Sequence, residues 1–256
     1  MRKHMVIPDC QVKPDESTEH LKWAAMYAVK HKPDVIVCIG DFFDMPSLSS
    51  YDKGKKSFEG RRYKKDIEAG QLAMSVFMNV IIAEQNRNRR NKEKIWKPEL
   101  HFTLGNHEER ILRAVENDAM LEDVLSLADL GLEEYGWEVY PYLQVVNIDG
   151  ICYSHYFTSG VMGRCVTSAR ALLGKKMQSC VMGHVQDRDI AYGRRADGKA
   201  VTALFSGIFY EHEEDYLTPQ TNASWRGIWM LHEVYDGAFD ELPVSLNYLR
   251  SKYGDV

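Results

Sequence analysis

The apolar run from Val35 to Ile39 stops at Gly40-Asp41, and this pattern does most to restrict the fold. Five successive apolar residues without polar alternation read as a strand covered on both faces. The residues before it supply a crossover. His4 to Pro8 is a shorter run ending in Asp9. Between the two runs, Leu21, Ala24, Ala25, Ala28 and Val29 recur at helical spacing after a cap at Asp15 or Ser17, and Pro33 closes the helix. The unit is β-α-β, and both strands finish in an aspartate.

The same logic extends along the chain. A long helix is expected over Arg62 to Asn86, with Ile67, Leu72, Ala73, Val76, Phe77 and Val80 facing inward, followed by a basic loop over Arg87 to Lys97. Leu100 to Leu104 is a third strand, leading into Gly105-Asn106-His107-Glu108 and another helix. Glu138 to Ile148 and Ile151 to His155 read as strands joined by a hairpin at Asp149-Gly150. A helix near Val161 to Leu173 precedes the strand Ser179 to Met182, which ends at Gly183-His184. Further strands are expected at Ile190 to Ala191, Val201 to Phe205, Gly227 to Tyr235 and Val244 to Leu249. No repeat or linker divides the 256 residues. The expected architecture is one α/β domain, residues 1–256, of two packed mixed β-sheets flanked by helices, with a polar, basic insertion around 47–65.

Composition narrows the setting. With 45% hydrophobic and 27% charged residues the chain is globular, and a net charge of -5 selects no class of partner. Met1 to Pro8 lacks the pattern of a signal peptide, and no run approaches the 18 or so apolar residues of a membrane span, so no membrane association is expected. The five cysteines show no CxxC spacing, and four lie in or beside apolar runs. Reduced, buried thiols and a cytoplasmic location are expected.

Five apolar runs end in residues able to hold a cation: Asp9-Cys10-Gln11, Gly40-Asp41-Phe42-Phe43-Asp44, Gly105-Asn106-His107-Glu108, Ser154-His155 and Gly183-His184-Val185-Gln186. Singly, each is ordinary: an Asp after a strand is most often a turn or cap residue. Together they predict one crevice at the carboxyl ends of the strands. Glycine before three of them suits backbone that approaches a bound group closely. His4, His20, His31, His101, His212 and His232 have no partner at ligand spacing, and Glu211 to Asp215 reads as an acidic surface loop.

These five blocks resemble the calcineurin-like metallophosphoesterase family, whose pattern is D-x-H, G-D-x-x-D, G-N-H-D/E, a lone H and G-H-x-H. The resemblance covers roughly residues 5 to 190, and the Asp-x-Gln opening and modest size are similar to small phage and bacterial members. It implies a four-layer α-β-β-α sandwich and a hydrolase that cuts phosphate esters with two divalent metal ions. Asp41 would bridge the ions. Asn106, His155 and His184 would complete one shell; Asp9, Gln11 and Gln186 would complete the other. His107 would serve the leaving oxygen, and Asp44 would fix its tautomer. Glu108 matches the family's acidic position in a supporting role. Chemically, a bridging carboxylate with neutral ligands suits two ions that activate water and clamp phosphoryl oxygens.

Two family histidines are glutamine in this chain, Gln11 and Gln186, and both fall on the same ion. One reading is an all-oxygen site that favours Mn²⁺ or Mg²⁺ over Zn²⁺ and binds weakly. The other is a site rarely filled, in a slow or inactive enzyme. Retention of His107 and Asp44 favours the first, with Mn²⁺ as the preferred cofactor. Substrate is marked only by charge. Lys53, Lys55, Lys56, Arg61, Arg62, Lys64 and Lys65, with Phe58 and Tyr63 among them, begin nine residues after Asp44, and six further basic residues lie within Arg87 to Lys97. Such runs are most often solvated surface, yet the first could overhang the site and track a phosphate backbone. A phosphodiesterase acting on nucleic acid or nucleotides is the first expectation. A phosphomonoesterase is the second, and a phosphate-binding module without turnover is the third.

Overall fold

The computed structural model describes residues 1–214 and 223–254. Asp215, the end of the acidic loop, lies outside the described residues.

Alternation along the strands builds the layers. In β1 (Arg2–Ile7), Met5 and Ile7 point to one face and Val6 to the other; in β2 (Val35–Cys38), Ile36 and Cys38 oppose Val35 and Val37. A strand side chain alternates with period two, so a run apolar at every position must be covered twice. One set meets α1 (Glu19–His31) and α2 (Tyr63–Asn91); the other meets a second sheet.

The first sheet continues through β3 (Glu99–Thr103) and β4 (Glu138–Tyr140), all parallel to β1 and β2. Two antiparallel strands, β10 (Gly227–Tyr235) and β11 (Ala238–Ser245), extend it on the β1 side, giving the order β11-β10-β1-β2-β3-β4. The second sheet comprises β5 (Val146–Ile148), β6 (Ile151–Tyr153), β7 (Cys180–Met182), β8 (Arg188–Arg194) and β9 (Ala200–Ser206), in the order β5-β6-β7-β9-β8. Val6, Val37, Val181, Leu204, Trp229 and Leu231 fill the space between the sheets. On the outer face of the second sheet, Cys180, Met182, Ala203 and Phe205 pack with Ala169 and Leu172 of α4 (Ala169–Lys176). The result is helix, sheet, sheet, helix, as expected.

Several boundaries differ from the sequence reading. The long helix reaches Asn91 because Glu84 takes bonds from Lys32, Arg87 and Asn88, and Glu93 takes more from Arg87 and Asn88. Arg87, the first of the basic run, is thereby neutralised, and the run continues as helix as far as Asn91. Leu72 faces solvent at 63% exposed, not the core. The stretch from Glu138 to Ile148 is two strands in different sheets, separated after Tyr140 by Pro141. Thr158 pairs with Cys165 and Ser159 N–H donates to Arg164 O at 2.8 Å, so the helix expected from Val161 starts at Ala169, capped by Ser168 Oγ. Leu246–Tyr253 is a helix, α5, with Ser245 Oγ accepting from Tyr248 N, where a strand was expected.

Among the described helices, α2 is long and apolar enough to cross a membrane by length and composition alone. In the fold its apolar side chains Ile67, Ala73, Met74, Phe77, Met78 and Ile81 are buried against α1 and the sheet. The acidic loop is also less exposed than expected. Glu214 is buried, accepts from Lys13 Nζ and contacts His212 Nε2 at 2.7 Å.

His20 gives the fold a pH dependence. It is 2% exposed, packs edge-on to Phe209, and burial followed by the charge of His212 lowers its pKa to about 3. An unfolded histidine titrates near 6.5, so between those values the unfolded chain holds the extra proton and acid destabilises the fold. From pH 7 to pH 5 this one group should cost about 2 kcal/mol. Denaturant melts of the native chain and His20→Leu at the two pH values measure it: the native chain should lose about that much more. Equal losses would contradict the assignment.

Candidate metal centre

The parallel pairing puts the carboxyl ends of β1, β2 and β3 at one edge of their sheet. Asp9, Asp41 and Asn106 lie just beyond those ends, and His155 and His184 follow β6 and β7 of the other sheet. Bonds across the edge lock the segments. Cys10 and Gln11 N–H both donate to Asp41 O, Gly183 N–H to His155 O, and Phe209 N–H to Asp9 O.

Four groups converge. Asn106 Oδ1 lies 2.7 Å from His184 Nδ1 and 3.0 Å from His155 Nε2, and Asp41 Oδ2 is 3.3 Å from His155 Nε2. Donor atoms of Asp41, His155 and His184 all fall within 4.8 Å of one another. His155 Nδ1 sits 3.0 Å from Ile39 O, so its proton belongs there and the Nε2 lone pair turns inward. Once that Nε2 gives up its proton, oxygen and nitrogen lone pairs face each other across the cluster, which is the arrangement a cation resolves. Burial and the neighbouring His155 hold His184 down at about 4, neutral and available as a ligand. Burial lowers His155, but the Asp41 charge outweighs it and lifts the group to about 9. A cation would take the place of that proton.

Glycines and a buried glutamate fix the scaffold. A Cβ at Gly105 would lie 2.1 Å from Asp41 Oδ1, and one at Gly183 would lie 2.2 Å from Asp9 Oδ1. The close approach expected at these glycines is therefore to the carboxylates themselves. Glu108, fully buried, accepts from the N–H groups of Asp41, Phe43 and Gly105 at 2.8 to 3.0 Å. It staples two of the five segments together without reaching the cluster. Gln11, Asp41 and His184 have φ of 41°, 49° and 64°. Side-chain-bearing residues there store strain of roughly 1–3 kcal/mol each, repaid by the surrounding bonds.

Of the remaining expected ligands, Asp9 borders this cluster. Both Asp9 oxygens lie 3.1 to 3.2 Å from His184 N, and burial first, then the nearby Asp41, push its pKa up against the pull of His155. Gln11 is buried and its Oε1 accepts no hydrogen bond, so it is an oxygen in want of a partner. Gln186 lies two residues past His184 and is half-buried. Oxygen donors such as those of Asp9, Gln11 and Gln186 are of the type that hard cations prefer.

His107 stands beside the cluster. Its Nδ1 is 2.7 Å from Asp44 Oδ1 and 2.8 Å from Asp44 O, and its N–H donates to Asp41 Oδ1 at 2.9 Å. Burial lowers its pKa, but Asp41 and Asp44 together raise it above the ordinary histidine value. Burial likewise opposes ionisation of Asp41 and Asp44, yet the facing histidines bring both carboxyls below their usual value.

Asn106, His107 and Asp44 open onto a cleft of about 1080 Å³. Lys55, Arg61, Arg62 and Lys65 of the basic insertion wall it, with Lys13 and Arg110. The insertion therefore lines the same cleft as His107 and Asp44. Arg110 went unnoticed in the sequence. It bonds Asp44 O and contacts His107 Nε2, and the only hint is its position four residues after Asn106.

No known protein-family model matches the chain, and no curated protein matches it. Among solved structures it is similar to one described as Yfce, a phosphoesterase from E. coli. The two are 12% identical with a TM-score of 0.35, over 96% of this chain and 100% of that chain. So distant a likeness leaves the chemistry to the side chains themselves.

Proposed function

We propose that the chain is a metal-dependent phosphoesterase, most suited to phosphodiesters of nucleic acid or nucleotides. The observation that carries this reading is the inward convergence of Asp41, Asn106, His155 and His184 next to the His107–Asp44 pair. Asp41, Asn106, His155 and His184 would hold one divalent cation, and Asp9, Gln11, Asp41 and Gln186 a second, with Mn²⁺ favoured. Such a cation polarises phosphoryl oxygens and lowers the pKa of water.

The chain's own groups supply the rest. Asp44 holds the Nδ1 proton of His107 and so directs Nε2 toward the cleft. The raised pKa keeps a proton available there for the departing oxygen. The cleft wall decides between ester classes. It carries six basic residues but eight acidic ones, with Lys55 and Arg61 paired to Asp52 and Lys13 to Glu214. A wall of mixed sign suits one charge per phosphate better than the dianion of a monoester.

Turnover of a bis-aryl phosphate against an aryl monophosphate, with Mn²⁺, Mg²⁺ or chelator, tests the proposal. Faster Mn²⁺-dependent cleavage of the diester is expected, lost with chelator. Faster cleavage of the monoester would make the chain a phosphatase. Phosphate binding without turnover of either would make it a binding module.

A further inference from the structure

Arg110, at the start of α3 (Glu109–Asn117), is fastened at one end and poised at the other. Its Nη1 donates to Asp44 O at 2.7 Å and Met45 O at 3.3 Å, and its Nη2 lies 3.2 Å from His107 Nε2. The side chain is 17% exposed and lines the cleft. Asp44, the nearest carboxylate to it, is 3.9 Å away and already bonded to His107 at 2.7 Å. The two backbone carbonyls hold the guanidinium in place without neutralising it.

Position determines what this cation can read. In an in-line displacement the leaving oxygen departs on the side opposite the attacking water, and His107 Nε2 is the group placed to protonate it. A donor 3.2 Å from that nitrogen occupies the space the leaving oxygen will enter. With Nε2 protonated, Nη2 has no acceptor there, so its N–H groups are left to the departing group while Nη1 stays on its carbonyls. With Nη1 spent on the two carbonyls, the fork left for the oxygens of a phosphate is the Nε–Nη2 edge of the guanidinium. The same cleft is also lined by Arg62 and Lys65, further cations in a wall of mixed sign.

We infer that Arg110 is the leaving-group specificity residue of this site, taking the oxygens of a second phosphate on the group released, so that phosphodiesters with a phosphorylated leaving group are preferred. The inference rests on the phosphoesterase reading above and names its substrate class. An oligonucleotide, in which the released piece carries the next phosphate, is a substrate of that class.

The test compares two dinucleotides that differ only in a terminal phosphate on the leaving nucleoside. Cleavage of the internal bond is measured with Mn²⁺ for the native chain, Arg110→Met and Arg110→Lys. The native chain should prefer the phosphorylated substrate in kcat/KM by roughly 10- to 100-fold, the discrimination expected of a charge-assisted hydrogen bond. Arg110→Met should bring that ratio close to one, and Arg110→Lys should keep part of it, since an ammonium retains the charge without the fork. If Arg110 only supports His107, both substrates slow by the same factor and the ratio is unchanged, which would overturn the inference. A native chain that cleaves both equally well also overturns it, while leaving the phosphoesterase reading intact. A native chain that cleaves neither removes that reading and this inference with it.

Discussion

Replacing His107 with alanine should lower turnover of the preferred ester by roughly 10²- to 10⁴-fold, the range that a positioned general acid supplies. Cation content should stay nearly unchanged. The second expectation follows from how Asp41 is held. Its Oδ1 accepts from the backbone N–H of His107, which alanine retains, and its loop is fixed by Glu108. The imidazole itself stands 3.7 Å from Asp41 Oδ2, outside bonding distance. Steady-state kinetics together with metal analysis of the purified variant would check both parts. Full activity in the variant would sink the assigned role, and loss of cation in step with activity would make His107 a ligand and not an acid.

Much of this site was legible because its parts sit at strand ends. Val35 to Ile39 is apolar throughout since one face meets the helices and the other the second sheet, and its direction then dictates where Asp41 lies. The hairpin at Asp149-Gly150 was legible for a local reason: both residues take positive φ, 52° and 87°, and their types tolerate it. What escaped depended on contacts distant in sequence. Helix α2 runs on through Arg87 because Glu84 and Glu93 pair with it, while Lys32, from the end of α1, fastens Glu84 to the neighbouring helix. Helix α5 replaces a strand because Leu246 and Leu249 bury into the α1–α2 layer, a choice that apolar spacing over so few residues does not make. Glu108 looked supporting and is so, but its three backbone partners belong to segments more than sixty residues apart or to its own turn. Arg110 could not be found from its neighbours, since an arginine in a polar helix reads as solvated until the carbonyls of Asp44 and Met45 are placed beside it.

Asp41→Asn should be the most damaging conservative change, because it alters charge with almost no change of shape. The carboxylate has 2% exposure, and the surrounding histidines keep it ionised against the cost of burial. Asparagine retains an acceptor for His107 N–H but removes the negative charge that a divalent cation needs from an otherwise neutral set of Asn106, His155 and His184. Substitution of partners outside the ligand shell of a metal typically costs about 10- to 100-fold in affinity. Loss of the charged ligand itself should reach at least the upper end of that range, roughly 100-fold, and turnover should fall with it. The measurement that tests the centre most directly is a titration of the native chain and Asp41→Asn with Mn²⁺, read by paramagnetic broadening of the histidine ring signals. The structure predicts that His155 and His184 broaden first and together in the native chain, and only at much higher Mn²⁺ in the variant. Broadening that spares those two rings, or that is the same in both chains, would contradict a metal centre at this site.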